Sequence, residues 1–315
     1  MSKIELKQFI QETAQNLGFS KIGIAPAKSD PLSKKQLTTW LDNNYHATMD
    51  WMVKRSEERG NIKNYFPKAK SIISLALNYF TGTASNLEDV GKVSNYAWGN
   101  DYHELMKPKL IQLLDQIKSI QPNVNGVTCV DTSPIMEKSW AQKAGLGWVG
   151  KHTNLITQEF GSWIFLGEVL LDIELEYDNP FTEDLCGTCT ACLDACPTNA
   201  FPEPYVLDSS KCISYLTIEH RGDLPTAKED KLSGWIYGCD ICQEVCPWNI
   251  KFSQNSREIF FQPRKNLNKR TIAEWSQLTE EEFRALFKGS AVKRTKYEGL
   301  RRNINLVRKS LGELI

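Results

Sequence analysis

Nine cysteines stand in this chain, and eight of them fall in a pattern that has a chemical use. In Cys186-x-x-Cys189-x-x-Cys192-x-x-x-Cys196-Pro197, three thiolates spaced three apart can each take one corner of an iron–sulfur cubane. The fourth, past a tight turn ended by proline, points to a second cluster. A partial copy, Cys239-x-x-Cys242-x-x-x-Cys246-Pro247, lacks one cysteine of the full pattern, and Cys212 is the obvious substitute. By the crossed ligation of two-cluster ferredoxins, Cys186, Cys189, Cys192 and Cys246 are expected to hold one 4Fe-4S cluster, and Cys196, Cys212, Cys239 and Cys242 the other. Paired CxxC motifs also bind zinc, but tandem zinc sites have no use for the interlocking C-x-x-x-C-P ends. Cys129, in an apolar strand context, reads as an inert buried thiol.

Two clusters imply single-electron transfer without saying to what. An electron carrier alone needs only the Cys-rich segment, so the rest of the chain must hold a redox partner, a substrate, or both. Gly145-x-Gly147-x-x-Gly150 matches the dinucleotide fingerprint, which requires a strand before the glycines and a helix after them. Here 134–144 reads as a helix and the residues from Asn154 onward as a strand. The order is reversed, so no Rossmann site is expected, and no P-loop is present.

The elements that must position this chemistry are legible in part. Leu6, Phe9, Ile10, Ala14 and Leu17 recur at helical spacing, and Gly18 stands where a C-terminal cap would, so 3–17 reads as an amphipathic helix. Strands are expected at 22–25, 71–77, 126–130 and 162–171, where Ile, Val, Leu and aromatics concentrate, with helical stretches such as 105–120 between them. Strands alternating with helices indicate an α/β domain over 1–178, in a chain whose overall class is α+β or α/β. From Asp178 to Pro247 the chain is dense in Cys, Pro and Gly and periodicity fades, as in a fold organised around clusters, giving a ferredoxin-like domain at 179–255. Helical spacing returns at 280–288 and 300–311, so 256–315 reads as a short helical tail.

At 315 residues with 41% hydrophobic and 24% charged side chains, the composition is that of an ordinary globular enzyme. The longest apolar runs are about ten residues or fewer, against the roughly 20 of a spanning helix, so no membrane contact is expected. Lys3, Glu5, Lys7 and Glu12 interrupt any leader-like apolar run, and the first arginine is Arg55. A reducing, cytoplasmic location follows, where clustered cysteines bind metal more often than they form disulfides. Net charge is zero, yet 251–315 holds fifteen Lys and Arg against seven Asp and Glu. Between Lys288 and Lys309 eight basic residues, among them Lys293, Arg294, Lys296, Arg301 and Arg302, face the single acid Glu298. Such density can neutralise backbone phosphates, although a solvated helical face looks the same in sequence.

Four strings taken together resemble one family: Cys129-Val-Asp131-Thr-Ser-Pro-Ile-Met-Glu137, Ala144-Gly-Leu-Gly-Trp-Val-Gly-Lys-His152, Tyr96-Ala-Trp-Gly-Asn-Asp-Tyr-His103, and the cysteine pattern. Over nearly its whole length the chain is similar to epoxyqueuosine reductases. The resemblance implies a cobalamin-dependent reduction of the epoxide of epoxyqueuosine, at the wobble position of certain tRNA anticodons, to queuosine. It also implies an N-terminal domain that binds cobalamin and substrate, a monomer, and an external low-potential electron donor. Turning an epoxide into an alkene takes two electrons and two protons and releases water. Asp131, at the end of the 126–130 strand, is the candidate proton donor, since Ser133 and Pro134 already read as N-cap and N1 of the next helix.

The family's corrinoid contacts map to Arg59, Ser94, Asp131, Leu155, Leu166, Tyr215, Asp240 and Ile241. Asp101-x-His103 matches the start of a motif that supplies a lower histidine ligand to cobalt, but Met106 stands at its glycine position. A corrinoid here is expected to lack that ligand, and His103, like His46, reads as a surface or hydrogen-bonded side chain. His220 and Arg221 are placed to reach an anticodon loop, whose unstacked bases are open to a pocket. The nearest alternatives are a reductive dehalogenase, which shares the cofactors but typically carries an export leader, and a ferredoxin-like electron-transfer subunit.

Overall fold

Helix α1 (Lys3–Asn16) begins on a capping box: the Ser2 hydroxyl accepts from the Glu5 N–H, and the Glu5 carboxylate accepts from the Ser2 N–H. It ends before Gly18, which takes the left-handed conformation at φ +86°. These features belong to a computed structural model that describes residues 1–83 and 89–312. Two compact units make up the fold. The first comprises Met1–Asn44, Asp50–Asn78 and His103–Cys189; the second comprises Tyr45–Met49, Tyr79–Tyr102 and Thr190–Ile315.

The first unit is built on four strands: β1 (Lys21–Pro26), β2 (Ser71–Asn78), β4 (Gly126–Cys129) and β5 (Ile164–Leu171). Their order is β1-β2-β5-β4, and every pairing is antiparallel. All eight residues of β2 are buried, because helices cover both faces. Met106 and Leu110 of α3 (Tyr102–Ile120) lie against Gly167 on one side. On the other, Trp140, Ala141 and Ala144, on and just after α4 (Glu137–Lys143), pack with Ile72, Ala76 and Leu170. Strands buried on both faces read as apolar runs whichever way they point. The mixed helix-and-sheet fold expected from sequence is present, and its sheet is antiparallel throughout.

Helix α4 starts three residues later than expected. Met136 is its N-cap and supplies no side-chain bond, while Ser133 and Pro134 stay in the preceding loop. The Ser133 hydroxyl is turned toward Cys129 and Tyr65 instead, so it does not take the capping role that the sequence offered it.

The second unit has a core of Trp98, Trp235, Tyr237, Trp275, Phe287, Leu300, Ile304 and Val307. A short strand β3 (Lys92–Val93) pairs in parallel with β6 (Trp235–Tyr237). The last helix, α10 (Lys296–Ser310), packs on β6 and on α6 (Ile213–Ile218), preceded by α8 (Ile272–Ser276) and α9 (Glu280–Leu286). The divisions therefore differ from those expected at 178 and 255. The tail shares one apolar core with the cluster segment and with 79–102, because neither the Cys-rich segment nor the tail has enough apolar surface to close a core alone. Among the described residues no helix is long and apolar enough to cross a membrane.

Candidate active site and cluster pockets

In the second unit, Cys196, Cys212, Cys239 and Cys242 line one pocket with Pro197, Ala200, Phe201, Leu207, Ile213 and Ile241. Burial pushes the Cys239 and Cys242 thiols well up. The neighbouring sulfurs of Cys212, Cys192 and Cys196 push Cys242 further. Four sulfurs that repel one another in an apolar pocket fit a 4Fe-4S cluster, whose iron offsets their charge. The Ala200 N–H donates to Cys196 Sγ at 3.3 Å, the kind of hydrogen bond that tunes cluster potential. Cys192 and Cys246 are buried in the same unit, Cys192 on α5 (Ala191–Asp194), which packs against α7 (Ile241–Glu244).

Cys186 and Cys189 belong to the first unit, and the glycine-rich run that mimicked a dinucleotide fingerprint braces them. Trp148 Nε1 donates to Cys186 Sγ at 3.5 Å, and Lys151 Nζ donates to the carbonyls of Gly187 at 2.6 Å and Cys189 at 2.9 Å. At Gly147 a Cβ would meet the Ile156 carbonyl oxygen at 2.0 Å, so that glycine serves close backbone approach in the turn. Sequence reasoning missed Trp148 and Lys151. Their signal was a Trp and a Lys set among glycines between a helix and a strand.

Asp131 follows β4 at φ +50°, in the left-handed region where aspartate is among the few tolerated side chains. Its side chain is 60% exposed, with Oδ2 3.5 Å from His103 Nε2. Its N–H donates to Glu137 Oε1 at 2.5 Å. Burial, then the charge of Asp131, pushes the Glu137 carboxyl up to about 8. Arg59, on α2 (Ser56–Gly60), is buried and donates to the carbonyls of Trp51 and Arg55 while lying over the Trp51 ring. Burial lowers its affinity for its proton, and the charges of Asp131 and Glu137 act the other way. A cation, two carboxyl groups and an imidazole thus meet at the end of β4. Leu155 is buried, and Leu166 packs half-buried, in the apolar cluster beside them that holds Cys129 and Ile135. The Cys129 thiol is itself pushed up to about 12 by burial.

Two further mapped residues are brought together in the second unit. Ser94 Oγ donates to Asp240 Oδ1 at 2.5 Å, and the Asn95 N–H donates to Oδ2 at 2.7 Å. The Asp240 carboxylate thus ties the 94–95 loop to the second cysteine motif. Burial pushes it up to about 7. The Tyr215 hydroxyl lies 2.7 Å from Thr48 Oγ1, and Ile241 lines the four-cysteine pocket.

The basic residues singled out in two distant stretches form one surface. Arg221 donates to the Arg294 carbonyl at 3.0 Å, and Arg294 makes a two-pronged pair with Glu219 at 2.9 Å on each arm. Lys293, Lys296 and Arg301 are exposed nearby in sequence, and Arg301 lies over the Tyr297 ring. His220 holds the Asp223 carbonyl at 2.8 Å. Arg302 departs from the expected role. Its guanidinium is turned inward to the carbonyls of Leu216, His220 and Gly222 at 2.7, 3.1 and 2.6 Å, which leaves it a brace rather than a phosphate contact.

Residues 185–249 match the model of a 4Fe-4S double cluster binding domain, and residues 59–132 match that of "Epoxyqueuosine reductase QueG, DUF1730". An epoxyqueuosine reductase of Cellulophaga algicola is 44% identical, covering 98% of this chain and 99% of its own length. That of a Synechocystis species is 45% identical over 90% of this chain and 98% of its own. The chain belongs to the epoxyqueuosine reductase family. A crystal structure of an epoxyqueuosine reductase with an epoxyqueuosine-modified tRNA-Tyr stem loop shares its fold with a TM-score of 0.90 at 31% identity, over 99% of this chain and 83% of that one. So does the enzyme of Bacillus subtilis with its catalytic aspartate loop swung out of the active site, at 30% identity and a TM-score of 0.90.

The half-buried carboxyl group of Glu137 and the buried one of Glu168 were also missed by sequence reasoning. Glu137 had entered only as part of a motif, and Glu168 sat unremarked in an apolar strand. A lone acid inside a run such as Ile164–Leu171 is the signal that could have found it.

Proposed function

We propose that this chain reduces the epoxide of epoxyqueuosine in the anticodon loop of tRNA to the alkene of queuosine. The observation that carries the reading is one chain joining a four-thiol cluster pocket to an exposed aspartate held at positive φ beside a second carboxyl group and an imidazole. Epoxide plus two electrons and two protons yields alkene and water. The clusters, held by Cys186, Cys189, Cys192 and Cys246 and by Cys196, Cys212, Cys239 and Cys242, pass the electrons on one at a time. Asp131 acts as general acid on the epoxide oxygen, and the aspartate-bearing catalytic loop named for the Bacillus subtilis relative supports an aspartate in the chemistry. Two carboxyl groups this close resist ionising together, which favours a proton on the pair.

Cobalamin supplies, when bound, a strongly reducing cobalt centre. The residues of the first unit suit such a molecule: Arg59 would hold it with a buried cation, and Leu155 and Leu166 would hold it with apolar surface. Ser94, Tyr215, Asp240 and Ile241 are the other residues that the family resemblance assigns to it. Arg221, His220, Lys293, Arg294, Lys296 and Arg301 hold the tRNA, as the stem loop bound to the structural relative supports. The enzyme works as a monomer in the reducing cytoplasm and is recharged by an external low-potential donor.

The test is anaerobic turnover of cluster-reconstituted protein on epoxyqueuosine-containing tRNA with and without cobalamin, read by nucleoside mass spectrometry. Loss of one oxygen only with cobalamin is expected. Asp131→Asn should slow conversion by roughly a hundredfold or more with both clusters intact. No conversion by wild-type protein with reduced clusters would refute the function.

A further inference from the structure

The glycine-rich run after α4 folds into one tight hairpin, in which Trp148–Val149 pairs with Leu155–Ile156. Its approach is so close that a Cβ on Gly150 would meet the Ile156 side chain at 2.5 Å. Lys138 clamps the turn, donating to the Thr153 carbonyl at 2.9 Å and to Asn154 Oδ1 at 3.3 Å. Trp148 is buried, and its indole stacks on Phe181 with ring centroids 5.4 Å apart, so the direction of its N–H is fixed. That direction is Cys186 Sγ, at 3.5 Å. Lys151 leaves the same hairpin with its buried ammonium on the Gly187 and Cys189 carbonyls. Neutral donors would hold those carbonyls equally well. A buried ammonium is costly unless an anion compensates it, and among the described residues no carboxylate pairs with Lys151.

We propose that Trp148 and Lys151 are positioning residues that set the reduction potential of the first cluster, holding it above the value that its thiolates alone would give. This rests on the reading above that Cys186 and Cys189 are two of its ligands. A 4Fe-4S cluster on four thiolates is net negative, and its reduction by one electron from the external low-potential donor adds negative charge to the sulfurs. No bond forms or breaks, and no proton moves. An N–H aimed at a ligand sulfur and an ammonium fixed at the ligand loop both stabilise that added charge, which raises the potential. Burial strengthens each effect, since little water is present to screen it. The hairpin holds both groups in place before the electron arrives, so they need not reorganise when it does. The pocket of the second cluster receives a hydrogen bond from the Ala200 backbone N–H instead. The two clusters are therefore tuned by different groups, and side-chain changes at 148 and 151 act on the first.

The test is a potentiometric titration of the cluster-reconstituted full chain, without tRNA, followed by electron paramagnetic resonance and fitted to two one-electron waves. Trp148→Phe keeps a ring against Phe181 and removes the N–H. Lys151→Gln keeps a donor for the loop carbonyls and removes the charge, whereas Lys151→Arg keeps the charge. Trp148→Phe and Lys151→Gln should each move the same wave to lower potential and leave the other in place. Combined, they should make that reduction roughly tenfold less favourable, a shift of about 59 mV for one electron. Lys151→Arg should stay near the wild-type potential. Residues that only brace the loop would give Trp148→Phe and Lys151→Gln proteins with both waves at wild-type potentials, or proteins that fail to load the first cluster; either result overturns the proposal. Cys186→Ala tests the premise separately and should abolish the wave that the other variants move. If it leaves both waves unchanged, the ligand assignment falls and the proposal with it. If it removes a wave that Trp148→Phe and Lys151→Gln leave in place, the assignment stands and the tuning alone is refuted.

Discussion

At Asp131 the backbone sits at φ +50°, a conformation that costs energy for most side chains and persists where neighbours hold it. Glu137 is that neighbour, through its short bond to the Asp131 N–H. The same carboxyl pair sets a pH dependence of stability. Glu137 binds its proton up to about 8 in the fold and releases it near 4.5 when unfolded. Between those values the folded state holds a proton that the unfolded chain has lost, so stability falls as pH rises through the window. Glu168 shifts in the same direction. Thermal unfolding followed across that range should show the decline in wild-type protein and a flatter profile in Glu168→Gln, with the variant the more stable at the alkaline end. An unchanged slope in the variant would mean that Glu168 does not contribute to the decline.

At the level of elements, α10 is anchored to α6 by two polar side chains in the unit's core. Asn303 Nδ2 donates to the Thr217 and Ile236 carbonyls at 2.9 and 2.8 Å, and Arg302 closes three more carbonyls left open at the end of α6. Arg302→Met should therefore destabilise the protein by about 1–3 kcal/mol, measured by urea unfolding, and loosen 213–222 to proteolysis. The exposed cations next to it should behave in the opposite way. Lys293→Ala with Arg301→Ala is expected to leave unfolding nearly unchanged while lowering the salt dependence of stem-loop binding by about two counterions' worth of slope. Binding titrations at several salt concentrations measure that slope, and an unchanged slope would remove these residues from the tRNA surface.

Over the whole molecule, the eight patterned cysteines differ in exposure, and one of them, Cys212, comes from outside both motifs. Cys212 lines the same pocket as Cys196, Cys239 and Cys242, so Cys212→Ser should cost one cluster and spare the other. Iron content of the reconstituted protein should drop by about half, with the remaining cluster still reducible. Full iron content would show that the fourth ligand of the second cluster lies elsewhere. Chain segments 45–49, 79–102 and 190–315 share one unit, so loss of that cluster should also lower the melting temperature of a core that includes α10.

The cysteine spacing by itself determined the cluster chemistry, because ligand type and interval are local properties that survive without a fold. The strands at 71–78 and 164–171 were legible for the same reason, since apolar runs report burial. Burial does not report direction, and only the tertiary structure decided that the sheet is antiparallel. Ser133 looked like a cap and became a partner of Cys129 and Tyr65, because a hydroxyl's choice among partners depends on which groups the fold brings near. The basic tail was visible as charge, yet packing alone separated Arg302, turned inward to three carbonyls, from Lys293 and Arg301 at the surface. Glu168 makes the same point in reverse. One acid in an apolar strand is unremarkable in sequence, and it acquires chemistry only when a sheet and a helix enclose it beside Glu137.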